Sequence, residues 1–169
     1  MPLKDALLSE FDMEMANTRR TLERVPDEKF SWKPHEKSGT LGWMAGHLAN
    51  LPYWTVVTLQ RDSLDLAPVG GPAFVPPKPA NRKEVLEVFD KHHADARAAL
   101  AAATDADLSQ PWRLLMGGKE LFRHSRAEVL RRMVFNHSIH HRGQLTVYLR
   151  LLDVPVPALY GPSADEQSF

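Results

Sequence analysis

The chain has 169 residues, 43% of them apolar, and 21 Lys+Arg balance 21 Asp+Glu to give a formal net charge of zero. That length and apolar content suit one domain, residues 1–169, with its own hydrophobic core, and exclude a disordered chain. Balanced charge without a basic run argues against nucleic acid as the partner, and the lack of cysteine excludes disulfides, thiolate metal ligands and a cysteine nucleophile.

The first helix is predicted from about Pro2 to Arg24. Leu3, Leu7, Phe11, Met15, Leu22 and Val25 recur at three- to four-residue spacing and give it one apolar stripe. Its opening, "MPLKDALLSEFDMEM", gains charge too soon for a signal peptide. No later window nears the roughly 18 continuous apolar residues of a membrane span, so a soluble cytoplasmic protein is expected. Pro26 closes the helix, and "PDEKFSWKP" reads as a loop whose Phe30 and Trp32 pack back as a satellite cluster. Ser38 or Thr40 caps a second helix carrying "LGWMAGHLANLPYWTVVTLQRD". Met44, His47, Leu48, Leu51, Trp54 and Thr58 share its apolar face, and Pro52 predicts a kink.

"SLDLAPVGGPAFVPPKPAN" holds five prolines and two glycines. It is read as a long crossover, neither helix nor regular strand. Asn81, with Glu84 three residues on, opens a third helix that ends near Ala103. A second connection contains Gly117-Gly118 and a short hairpin of "WRLLM" against "KELFR". The fourth helix starts near Ser125 and runs to about Leu152, and a Pro-rich tail follows. Four helices with one long crossover between the second and third describe an all-α four-helix bundle, whose sites are built from inward side chains.

The chain has eight histidines, three of them in "NHSIHH" on the fourth helix. At about 100° per residue, His141 lies about 40° from His137 and His140 about 60° the other way. Counted so, His137 and His141 fall in the core-facing stripe with Leu130, Met133, Val134, Gln144, Tyr148 and Leu151. An i, i+4 histidine pair can grip one divalent ion through two imidazoles. His47, on the apolar face of the second helix, offers a third ligand. Three neutral histidines with one open position is a catalytic zinc arrangement, although core histidines that merely hydrogen-bond are common. Ser138 stands where a zincin-type protease carries its general-base glutamate, which excludes that mechanism from this helix. Glu14 shares a phase with Leu7 and Phe11, yet a surface position is the commoner outcome for glutamate. Arg142, about 140° from His137, should leave the metal face for a neighbouring helix or subunit. Gln144 is placed to bond a ligand histidine, while Tyr148 lines the pocket or packs in the core. Trp43 and Trp54 bracket His47 as core residues, Trp54 being the candidate pocket wall. His92 and His93 are read as a solvated edge, and His35 and His124 as loop residues.

"LGWMAGHLANLP", "NHSIHHRGQLTVYLRLLDVPVP" and "YGPSADE" together resemble the DinB/YfiT-like superfamily of bacterial metal-binding four-helix proteins, over nearly the whole chain. The resemblance implies an up-down-down-up bundle. It implies a three-histidine divalent site on His47, His137 and His141, with zinc or nickel as the cofactor, and often a homodimer. It further implies a thiol-dependent transferase or isomerase that uses a low-molecular-weight thiol in detoxification or stress response. The expected function is therefore a metal-dependent enzyme acting on a small molecule, with neither nucleic acid nor membrane as partner. The alternatives are a metal-dependent hydrolase and a non-catalytic, metal-stabilised binding or stress protein, separable by whether the ion keeps an exchangeable position.

Overall fold

The computed structural model of the chain describes residues 2–167. The first helix, α1, spans Leu3–Leu22 and ends ahead of Pro26. α2 (Leu41–Asn50) starts at Thr40, whose side-chain oxygen accepts the Trp43 N–H at 3.1 Å. Pro52 has no N–H to give the helical ladder. The second helix accordingly splits there, and α3 (Tyr53–Gln60) continues it through residues that keep helical dihedrals. β1 (Ser63–Asp65) comes next, and after it the Pro-rich crossover.

α4 (Arg82–Ala102) is capped as the spacing predicts. The Asn81 side chain accepts from the Glu84 N–H at 2.9 Å, and the Glu84 carboxylate takes the Ala80 N–H at 2.8 Å. A one-turn helix, α5 (Asp105–Ser109), leads into β2 (Pro111–Met116) and β3 (Lys119–Ser125). Ser125 and Glu128 then form a reciprocal capping box for α6 (Arg126–Val129). A π-helical segment, Leu130–Phe135, joins it to α7 (Asn136–Leu151) without leaving helical backbone. Among the described residues no helix is long and apolar enough to cross a membrane.

The expectation of an all-α chain is corrected by a small sheet of order β1-β2-β3. The "WRLLM" and "KELFR" hairpin forms as read, turning on Gly117 and Gly118, both at positive φ. The missed strand is β1, which pairs parallel to β2 with Leu64 beside Leu114. An isolated two-stranded hairpin is marginal in water, and β1 supplies the third strand. Asp65 locks it in place, because its carboxylate accepts the Gly117 and Gly118 N–H groups at 2.9 and 2.7 Å. The sheet's inner face buries Leu64, Trp112 and Leu114 against Val57 of α3 and Val129 of α6.

The main core lies among α1, α2, α4 and α7. Leu7, Phe11, Leu48, Val85, Phe89 and Leu149 are all buried in it. α1 packs on α4 and α7, and α2 packs on the same two helices.

The π-helical segment decides which face of α7 looks inward. There the Asn136 N–H reaches back five residues to the Arg131 carbonyl. Such a wide turn slips the phase of everything beyond it by about one residue relative to an uninterrupted α-helix. The buried positions of α7 therefore run Ser138, Arg142, Leu145, Tyr148 and Leu149. Leu151, counted in the stripe by simple α periodicity, is 59% exposed.

Arg142 is 1% exposed and Glu14 3%. Arg142 donates to the Glu14 carboxylate at 2.5 Å, to the Glu14 carbonyl at 2.8 Å and to the Thr18 hydroxyl at 3.0 Å. The Tyr160 hydroxyl donates to the same carboxylate at 2.6 Å, which ties the tail to α1 and α7. The tail is held further along by Glu166, which takes Arg20 and Arg24. Breaking a buried ion pair from one side leaves an uncompensated charge. Arg142→Met is therefore expected to destabilise the protein by about 3–5 kcal/mol in urea denaturation. The double variant Glu14→Met with Arg142→Met should recover much of that loss, which a mutant cycle measures.

Candidate metal centre

The site lies where α2 meets α7. On α2, Gly42 and Gly46 leave a bare strip one turn long. A Cβ at Gly42 would meet the Phe30 ring at 2.2 Å, and one at Gly46 would meet Pro79 at 3.1 Å. Phe30 and the crossover prolines thus lie directly on the helix backbone. His47 follows Gly46 and projects toward α7. On α7, His137 and His141 sit one turn apart, as i, i+4 spacing requires.

The three imidazoles converge through their Nε2 atoms. His47 Nε2 is 3.3 Å from His137 Nε2, and His141 Nε2 is 2.9 Å from His137 Nε2. One ring nitrogen from each residue falls within 4.8 Å of the other two. Four-coordinate zinc with bonds of about 2.0–2.1 Å sets its ligand nitrogens about 3.3 Å apart. The observed spacing therefore fits a small divalent ion.

Protonation states point the same way. Burial, reinforced by His141 and His137, pushes the His47 pKa from 6.5 down to about 4. Burial also lowers the pKa of His137, with the neighbouring His141 adding to the effect. It lowers that of His141 despite the opposing hydrogen bond to Gln144. Neutral imidazoles result, and in His141 the far side of the ring fixes where the proton sits. His141 Nδ1 donates to Gln144 Oε1 at 2.7 Å. The His141 Nε2 is left with a bare lone pair. That lone pair faces His137 Nε2 at 2.9 Å, and a cation seated among the three rings would take it as a ligand.

All three histidines expected to converge do so. All three are half-buried; His137 and His141 lie at the edge of the α7 core face and not within the core stripe as counted, because the π turn rotates that stripe onto Ser138 and Arg142. Gln144 bonds a candidate ligand, as its phase requires. Arg142 leaves the metal face and reaches α1. Tyr148 is a packed residue, set edge-on to Trp32 with its hydroxyl donating to the Gly39 carbonyl at 3.3 Å.

Other expectations change. Glu14 is buried in place of being on the surface, because Arg142 neutralises it. Trp43, 53% exposed, is the pocket wall, and Trp54 packs on Trp112 beside the sheet. The Trp43 ring stacks flat on His47 at 5.1 Å and meets His141 edge-on at 6.2 Å. Its i, i+4 spacing to His47 is the signal that could have singled it out over Trp54. His92 and His93 do not form a solvated edge. His92 is buried and bonds the Ala49 carbonyl, and His93 stacks on Phe11 and Phe89. His124 lies in β3 and takes a hydrogen bond from Arg132, while His35 stays in its loop.

A pocket of about 310 Å³ opens beside the triad, lined by Phe30, Trp43, Gly46, His47, Lys78 and Pro79 among others. The crossover forms one wall through Pro76, Pro77, Lys78 and Pro79, and no residue of the "YGPSADE" tail lines it.

A family model described as the DinB superfamily matches residues 10–145. The uncharacterized protein YrdA of Bacillus subtilis is 26% identical over 163 residues, covering 96% of this chain and 90% of YrdA. A DinB-like protein from Bacillus cereus superposes with a TM-score of 0.70 at 24% identity, over 92% of this chain and 97% of that one. A second DinB-like protein, YjoA of Bacillus subtilis, superposes with a TM-score of 0.68 at 16% identity, over 97% of this chain and 99% of that one.

The depressed His47 pKa carries a stability signature in metal-free protein. Unfolded chain takes up the His47 proton near 6.5 and folded chain only near 4, so the unfolded state binds more protons between them. Stability is expected to fall as pH drops through that window and to level off below it. Urea midpoints measured from pH 7 to pH 4 should fall less steeply for His47→Gln, and parallel curves would contradict the assignment.

Proposed function

The chain belongs to the DinB superfamily, and from that premise we propose that it is a divalent-metal-dependent enzyme acting on a small molecule, of the thiol-dependent transferase or isomerase type. His47, His137 and His141 hold the ion, zinc or nickel. The observation that carries this reading is the set of imidazole nitrogens at 2.9 and 3.3 Å, aimed at one another from two helices. A divalent ion held by three neutral imidazoles supplies Lewis acidity and lowers the pKa of a thiol or water that reaches it.

The remaining residues hold and shape. Gln144 keeps the His141 proton on Nδ1. Trp43 presses flat on His47 and limits its swing. The same ring, with Phe30 and Pro76, Pro77 and Pro79, presents an apolar wall to an incoming molecule. The chain has no cysteine, so the thiol of this reading comes from solution as a co-substrate.

Among the described residues no carboxylate joins the three histidines in the group that could hold an ion. A closed structural site carries four protein ligands, and a catalytic one keeps a position free. The three-ligand set favours an enzyme over a metal-stabilised binding protein. It equally suits hydrolysis, in which water takes the place of the thiol. The proposal extends to a cytoplasmic homodimer with a role in detoxification or stress response.

The test is a panel of low-molecular-weight thiols with electrophilic partner substrates, assayed on zinc- or nickel-reconstituted protein. Turnover with one thiol, lost in His47→Ala, is the expected result. Turnover that needs no thiol would assign hydrolysis, and turnover untouched in His47→Ala would overturn the site. Trp43→Ala should leave the bound metal in place and raise KM about tenfold, the factor carried by about 1.4 kcal/mol of lost ring contact.

A further inference from the structure

The outer face of the small sheet carries a charge conflict that the metal centre does not explain. The hairpin register sets Arg113 directly opposite Arg123. Directly opposed side chains are the closest cross-strand neighbours, and like charges there are destabilising. Arg126, at the start of α6, turns into the same place. The three arginines line a hollow of about 350 Å³ together with Gln110, Pro111 and Asp62. It shares no residue with the pocket beside His47.

The acids nearby do not balance these cations. Asp62 is engaged with Arg126 at 2.9 Å, and Glu120 with Arg123 at 2.9 Å. Arg113 forms no ion pair among the described residues. The Arg126 side chain is only 11% exposed. Its terminal nitrogens donate to the Leu59 carbonyl at 3.2 Å, the Arg61 carbonyl at 3.5 Å and Asp62. Its Nε is buried and has no acceptor among the described residues. A buried cationic N–H without an acceptor costs free energy, and the hollow beside it keeps the Arg113 guanidinium unpaired.

We infer that the hollow is a binding site for the phosphate group of a small molecule. A guanidinium presents a planar fork of N–H donors that matches oxyanions. A carboxylate offers two oxygens, enough for one fork or two. A phosphate offers three or more and meets three forks from different directions. The volume exceeds what a bare phosphate fills, leaving room for the body of a phosphorylated metabolite. The zero net charge of the chain disfavours an extended polyanion as occupant.

The test follows the melting temperature of the full chain at fixed ionic strength while chloride is replaced by inorganic phosphate or by pyrophosphate. Both probes are expected to raise Tm to a plateau, and chloride is not. Arg113→Gln should weaken phosphate binding at least tenfold, with Arg123→Gln as an independent second variant. In chloride alone Arg113→Gln should melt no lower than the parent, because it removes the opposed charge; a purely structural arginine would melt lower. Pyrophosphate half-saturating below phosphate points to phosphorylated metabolites and equal half-points to free phosphate, and either upholds the phosphate chemistry. His47→Ala must keep the full shift. A shift lost in His47→Ala but kept in Arg113→Gln would put the anion at the histidines and overturn the proposal. So would the absence of a plateau.

Discussion

The rotation of α7 about its own axis is the constraint on which the site depends; the π turn sets its phase and the Arg142–Glu14 pair locks it. Both side chains are almost wholly buried, and the guanidinium bridges the Glu14 carboxylate, the Glu14 carbonyl and Thr18 on α1. Any turn of α7 that moved Arg142 off α1 would strand two charges in the core. With Arg142 fixed, His137 and His141 can only look sideways, toward α2. The opposite wall is set by close packing: Gly46 lets Pro79 of the crossover lie on the helix, and His47 emerges just beyond it. A charge pair on one side and a missing side chain on the other thus bring three imidazoles together, though neither touches them.

The convergence creates the chemistry. Burial favours the neutral form of all three rings, and Gln144 holds the outer edge of His141. Their Nε2 atoms face one another at spacings that suit coordination. The partly exposed Trp43 ring joins this centre to the apolar pocket, since one face covers His47 and the residue also lines the cavity.

Much of this is legible in the sequence, because it depends on short spacings. The i, i+4 relation of His137 to His141, the place of His47 on an apolar face, the Thr40 and Asn81 caps and the break at Pro52 are all local. Even the exit of Arg142 from the metal face follows from counting. The failures are tertiary. Counting at α periodicity put the histidines in the core stripe because no residue pattern announces the π turn between Leu130 and Phe135. Glu14 reads as a surface acid until its partner, 128 residues away, is known. β1 hides in a Pro-rich segment because a three-residue strand has no period of its own, and its pairing with β2 spans 50 residues of sequence. Trp43 and Trp54 both sit at helical spacing from His47, and the closer i, i+4 step of Trp43 is the one local sign that it walls the pocket.

The central claim is that these three histidines, and no others, hold one divalent ion. Titrating metal-free protein with zinc, and separately with nickel, while counting bound ions per chain tests it most directly. The account predicts one ion per chain in the parent, with tight binding lost in each of His47→Ala, His137→Ala and His141→Ala and retained in His140→Ala. Full stoichiometry and affinity in any one of the first three variants would contradict it.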